Sequence, residues 1–219
     1  MSLARRAMAE ALGTALLLAA VVGSGIMGQR LAGGNVALAL LANSLATGFA
    51  LIALIAAFGP RCGAHFNPAV TVALAWRGAF PRADVLAYVG AQVFGAILGV
   101  LAAHVMFELP LLQSFQAPRS GYGQWFSEFV ATFGLVFLVL GFDKKGAWFA
   151  PFAVGAYIAA AYWFTASTSF ANPAVTLARG FTATFAGIGM NDVPAFLLAQ
   201  AAGSAAAVIA DPLLRERRG

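Results

Sequence analysis

The tripeptide Asn-Pro-Ala occurs twice, at Asn67-Pro68-Ala69 and at Asn172-Pro173-Ala174, and both copies read on as Asn-Pro-Ala-Val-Thr in apolar surroundings. Proline fixes φ and lacks the N–H that a first helical turn leaves unpaired, so it suits the first helical position. Asparagine directly before it is a good N-cap. Each motif is therefore predicted to start a helix. The apolar stretches that follow, at about 68–77 and 173–180, are too short to cross ~30 Å of hydrocarbon at ~1.5 Å per residue. They read as half-helices meeting head to head around a pore.

The rest of the chain supplies the membrane setting. Of 219 residues, 61% are hydrophobic and 10% charged, with mean hydropathy +0.84. That leaves too little polar surface to cover a water-soluble domain. Apolar runs of spanning length occur at about 7–28, 36–58, 83–107, 124–142, 148–166 and 191–211. The predicted fold is an all-α membrane protein, with residues 1–219 as a single transmembrane channel domain of six spanning helices and two re-entrant half-helices. Re-entrant backbone is tolerated only where it is buried in protein or lines water. The run behind Arg5-Arg6 is long and carries Glu10, so it reads as a retained first helix, not a signal peptide.

The net charge of +5 does not point to nucleic acid, because the basic residues stand singly or in pairs at the ends of apolar runs. With the N-terminus in the cytoplasm, the inside set is Arg5, Arg6, Arg61, Arg77, Arg82, Lys144, Lys145, Arg215, Arg217 and Arg218, against Arg30, Arg119 and Arg179 outside. This bias predicts both termini cytoplasmic.

The chain also repeats. Glu10 with Thr14 opens the first run and Glu128 with Thr132 the fourth; Gln92 with Gly95 sits in the third and Gln200 with Gly203 in the sixth. Each half carries one Asn-Pro-Ala between its second and third runs. Three helices per half is an odd number, so the halves, about 1–110 and 121–219, form an inverted repeat with a site at midplane.

Asn67 and Asn172 are expected to cap the half-helices and turn an amide N–H into the pore. The helix N-termini, each roughly +0.5 charge, repel cations. Glu10 and Glu128 are carboxylates inside spanning runs, a functional signal by default. They serve either as a proton relay or, as their symmetric placement favours, as acceptors for loop N–H groups. His65 reads as a buttress bonded to loop backbone. His104 has no partner nearby in sequence, and no metal or cofactor is expected. Cys62, the single cysteine, excludes an intrachain disulfide and reads as a packing residue. Extended backbone before each motif, at Gly63, Ala64 and His65 and at Thr168, Ser169 and Phe170, exposes a ladder of carbonyls to a lumen.

The doubled motif, the paired glutamates and the Gln-x-x-Gly pairs resemble the aquaporin (major intrinsic protein) family over nearly the whole chain. The stretch Gly63-Ala64-His65-Phe66-Asn67-Pro68-Ala69-Val70-Thr71 carries the resemblance most specifically. It implies a lumen with a one-sided polar stripe and a homotetramer with one pore per protomer. It also exposes a departure. Most aquaporins have arginine straight after the second motif; here the residue is Val175. The resemblance assigns Thr47, Ser169 and Val175 to the narrowest point. Tyr162 is the fourth member by alignment, with Ala159 or Ile158 as alternatives because the following loop is short. This filter is expected to be wide, weakly polar and uncharged. Arg179, one helical turn beyond Val175, either lines the outer vestibule and partly replaces the missing charge, or is a snorkelled or salt-bridged surface residue.

The Val-for-Arg pattern resembles a bacterial subgroup associated with arsenic resistance. That implies passive passage of metalloid hydroxides such as arsenite, or of methylated arsenicals, through a bacterial cell membrane, with glycerol or water next. A water- or glycerol-selective aquaporin is the nearest alternative. A proton-coupled secondary transporter is the competitor from another class, and needs a titratable group at the midplane. An enzyme is not expected.

Overall fold

The computed structural model describes residues 1–113, 118–142 and 148–214. Lys144, Lys145, Arg215, Arg217 and Arg218 of the predicted inside set lie outside the described residues. The described residues form eight α-helices: α1 (Leu3–Leu31), α2 (Val36–Cys62), α3 (Pro68–Trp76), α4 (Val85–Met106), α5 (Tyr122–Gly141), α6 (Ala150–Phe164), α7 (Pro173–Arg179) and α8 (Val193–Leu214). Helices α1, α2, α4, α5 and α8 are long and apolar enough to cross a membrane; α6 is a shorter apolar helix of 15 residues.

The two short helices begin where the proline places them. Asn67 is extended (φ −154°) and its side chain accepts from the Ala69 N–H. Asn172 is extended (φ −157°) and accepts from the Ala174 and Val175 N–H groups. Identical local chemistry gives two equivalent caps.

Packing follows the repeat. Helix α1 lies along α4, and α5 lies along α8, within the two halves. In lipid the apolar effect does not drive helices together, so close backbone approach must do it. Gly95 and Gly99 of α4 face the Ala11 and Ala15 carbonyls of α1, and Gly203 of α8 faces the Phe129 carbonyl of α5. The halves meet along α2 and α6. There Gly48 and Gly155 oppose: a methyl on Gly48 sits 2.9 Å from the Gly155 oxygen, and one on Gly155 sits 2.6 Å from the Gly48 oxygen. Outward faces carry exposed Leu16, Leu45, Phe94, Phe126, Phe152 and Ile209, as a lipid-facing surface requires.

The ends are tied by polar contacts. Arg6 pairs with Asp84 at 2.7 Å, and Arg77 with Asp211 at 3.1 Å. Arg61 is exposed and bonds its own helix at the Ala57 carbonyl. At the other end, His104 Nδ1 donates to the Leu111 carbonyl (2.8 Å), and Nε2 meets Thr182 Oγ1 (2.8 Å). Both ring nitrogens of His104 are thus used to fasten loops onto α4.

Candidate functional site

The site is built from the two loops that lead into α3 and α7. Each loop is held by one buried carboxylate. Glu10 accepts from the His65 N–H (2.9 Å), the Phe66 N–H (2.7 Å) and Gln92 Nε2 (2.8 Å). Glu128 accepts from the Phe170 N–H (2.8 Å), the Ala171 N–H (2.8 Å), Gln200 Nε2 (2.7 Å) and the Ser167 hydroxyl (2.6 Å). Both glutamates are fully buried. Of the two readings open from sequence, the geometry is that of loop acceptors.

Consecutive N–H groups aimed at one carboxylate cannot come from extended backbone, which alternates them between opposite sides. Ala64, Phe66, Thr168, Ser169 and Ala171 instead take positive φ, between 47° and 60°. This corrects the expectation of extended segments. A left-handed turn between right-handed neighbours makes a nest of N–H groups for an anion, and a non-glycine residue there costs about 1 kcal/mol. In a trans peptide the carbonyl points opposite the next N–H. Donation to Glu10 therefore turns the Ala64 and His65 carbonyls away from it, and donation to Glu128 does the same for Ser169 and Phe170.

The two motifs meet through their asparagines. Asn67 Nδ2 donates to the Ala171 carbonyl and Asn172 Nδ2 to the Phe66 carbonyl, both at 2.8 Å. Each amide thus spends one N–H on the opposite loop. Since a carboxamide nitrogen carries two, one remains for the lumen.

A cavity of about 180 Å³ is lined by Asn67 and Asn172 together with Thr47, Tyr162, Ser169 and Val175. Gly63, Ala64, His65 and Phe170 line it as well; Thr168 does not. Thr168 Oγ1 faces Arg119 Nη1 at 3.5 Å. Tyr162 and Ile158 both face the cavity, and Tyr162 OH lies 3.2 Å from Thr47 Oγ1. Ala159 is absent from the lining and packs toward Gly48 between α2 and α6. His65 bonds the Thr71 hydroxyl through Nδ1 (3.1 Å) and rests against Phe80 and Tyr88, so it buttresses by side chains, not by loop backbone. Cys62 is buried behind the loop, its sulfur near the Ala64 N–H.

Arg179 lies in the wall of the cavity, along with the four uncharged filter positions. It is neither snorkelled nor at the surface: it is 2% exposed, lines the same cavity, and lays its guanidinium 3.4 Å from the centre of the Phe170 ring. Its Nε donates to the Ala186 carbonyl.

The family model described as "Major intrinsic protein" matches residues 1–169, over three quarters of the chain. The chain belongs to the major intrinsic protein family. Members of this family are channels, not enzymes. The chain is 54% identical over 206 residues to "Aquaglyceroporin AqpS" of Rhizobium meliloti, covering 94% of this chain and 88% of that protein. It is 34% identical to "Aquaporin Z" of Bradyrhizobium diazoefficiens, over 67% of each chain. Its fold matches the X-ray structure of the aquaglyceroporin from Plasmodium falciparum with TM-score 0.75, 20% identity and 95% coverage of both chains.

Two further elements of this major intrinsic protein have roles that the sequence reading did not assign. Gln92 and Gln200 each bridge a glutamate to a half-helix hydroxyl, Gln92 to Thr71 (3.0 Å) and Gln200 to Thr176 (2.7 Å). Their repetition in the two halves was the available signal. Arg119 had none. From a loop far from either motif in sequence, its guanidinium reaches the Gly187 carbonyl (2.7 Å) and the Ser167 carbonyl (3.2 Å), beside Phe170 at 5.3 Å. Burial among these groups pushes the Arg119 guanidinium below its ordinary pKa, with the Glu128 carboxylate acting in the opposite sense.

Proposed function

We propose that this protein is a passive channel for small neutral solutes with several hydroxyls. Asn67 and Asn172 act as donors at the midplane, and Thr47, Tyr162, Ser169 and Val175 act as the filter. The carbonyls of Gly63, Ala64, His65, Ser169 and Phe170 supply a stripe of acceptors. Metalloid hydroxides such as arsenite, or methylated arsenicals, are the first candidates, then glycerol and water. Both termini lie in the cytoplasm of a bacterial cell, and four copies assemble with a pore in each.

One observation carries the reading: a single cavity touches both asparagines and all four filter residues. A passing hydroxyl meets donors on one side and apolar Leu51, Val154 and Ile158 elsewhere, a lining suited to neutral solutes. A similarity to a protein described as an aquaglyceroporin supports the solute class. A proton-coupled transporter has less support, because Glu10 and Glu128 stand outside the lining and are committed to loop donors.

Swelling of proteoliposomes in water, glycerol, urea and arsenite gradients tests the reading. Val175→Arg should cut glycerol and arsenite flux by about tenfold and water flux much less, because it adds bulk and a hydrated charge at the narrowest point. Equal loss for every solute removes the solute-size argument. A water-selective pore is the second reading, favoured by the contact between Thr47 and Tyr162, which draws two walls together. It predicts fast water flux with glycerol flux near that of empty vesicles.

A further inference from the structure

Arg179 is a buried cation with no ion-pair partner among the described residues. The ion pairs among the described residues are Arg6 with Asp84 and Arg77 with Asp211. Arginine carries five N–H donors; the Nε of Arg179 is spent on Ala186, and its terminal nitrogens have no protein acceptor among the described hydrogen bonds. The residue lines the cavity, where a solute can meet those donors. Burying a charge without a partner is costly.

A second group in the same cavity is also short of a partner. Ser169 is 2% exposed, and its Oγ is buried with no hydrogen bond. Ser169 adjoins Phe170, the ring on which Arg179 stacks. The electrostatics reinforce one sign. Arg119 holds a second guanidinium 5.3 Å from that ring, clamped by the Gly187 and Ser167 carbonyls. No Asp or Glu is among the described residues lining the cavity. Glu128, whose field reaches both arginines, has both oxygens occupied by loop donors.

We propose that Arg179 and Ser169 form a binding site in the lumen for a small monocarboxylate anion, with Arg119 as a positioning residue that holds the loop and adds positive potential. A guanidinium fork matches the two oxygens of a carboxylate in one plane. The Ser169 hydroxyl donates to the same group, and apolar Val175 and Ile158 in the lining suit a short hydrocarbon end. The solute so held competes with neutral solutes for the lumen. The proposal takes its location from the channel reading, but its binding chemistry can be measured without transport.

The test uses the purified full chain in detergent at neutral pH. Broadening of the 13C-formate NMR signal reports binding, with chloride and acetate as competitors. In parallel, formate is titrated against glycerol-driven swelling of proteoliposomes. Wild type should broaden the signal, with chloride displacing formate poorly. Arg179→Gln should weaken binding by about tenfold and Ser169→Ala by about threefold, with Arg179→Lys between wild type and Arg179→Gln, since a point charge replaces the fork only in part. Should Arg179→Gln fail to elute as a single folded species, Ser169→Ala and the formate-against-chloride comparison in wild type decide. Formate binding equal in wild type and both variants, or displaced by chloride as readily as by acetate, overturns the proposal. Binding without glycerol flux keeps the site and removes the channel reading; glycerol flux without binding does the reverse.

Discussion

Glu128→Ala is expected to lose the folded channel. The carboxylate accepts two loop N–H groups, one hydroxyl and one carboxamide, all buried. Alanine leaves these donors facing each other with no acceptor, and each unsatisfied buried donor costs about 1–3 kcal/mol. The left-handed Thr168, Ser169 and Ala171 lose the anion that makes their conformation worthwhile. A total of about 4–12 kcal/mol over four donors is comparable with the whole stability of an ordinary domain. Thermal unfolding in detergent, followed by size-exclusion elution, should show a large drop in midpoint or no folded peak. Glu10→Ala should behave alike, since Glu10 plays the same part for His65 and Phe66. A Glu128→Ala protein that melts and conducts like wild type would sink the view that the loops depend on their glutamates.

The second large effect separates two glycines on one helix. A methyl group on Gly95 would fall on the Ala11 carbonyl of α1, whereas one on Gly90 meets nothing within 4 Å. Backbone cannot step aside as a side chain does, so Gly95→Ala must force α1 and α4 apart. That costs more than the 1–3 kcal/mol typical of overpacking, because the whole helix pair must shift. It also displaces Glu10, one residue before the contact, from its loop. Gly90→Ala should be neutral or stabilising by up to about 1 kcal/mol, from helix propensity alone. Side-by-side unfolding midpoints check the pair; similar values for the two variants would mean that α1 and α4 are not in contact as described.

How much was legible beforehand depends on the range of the interaction. The caps at Asn67 and Asn172 are local: asparagine, proline and the N–H groups two and three residues on decide them. The spans are legible because hydrocarbon thickness converts directly into a run length. The glutamate sites were half legible. Their repetition pointed to loop acceptors, but a carboxylate meeting consecutive N–H groups requires the left-handed residues that the expectation of extended backbone missed. The fourth filter position stayed open among Tyr162, Ala159 and Ile158, because a helix of unknown rotation presents any of the three.

Run lengths, helix starts and the inverted repeat follow from residues a few places apart, where sterics and capping act within one or two turns. The side chains that set the lumen's charge do not. Arg119 and Arg179 stand 60 positions apart in sequence and flank one ring only because the chain folds back, and whether a guanidinium there faces lipid, water or a carbonyl is settled by which donors and acceptors the neighbouring loops leave over.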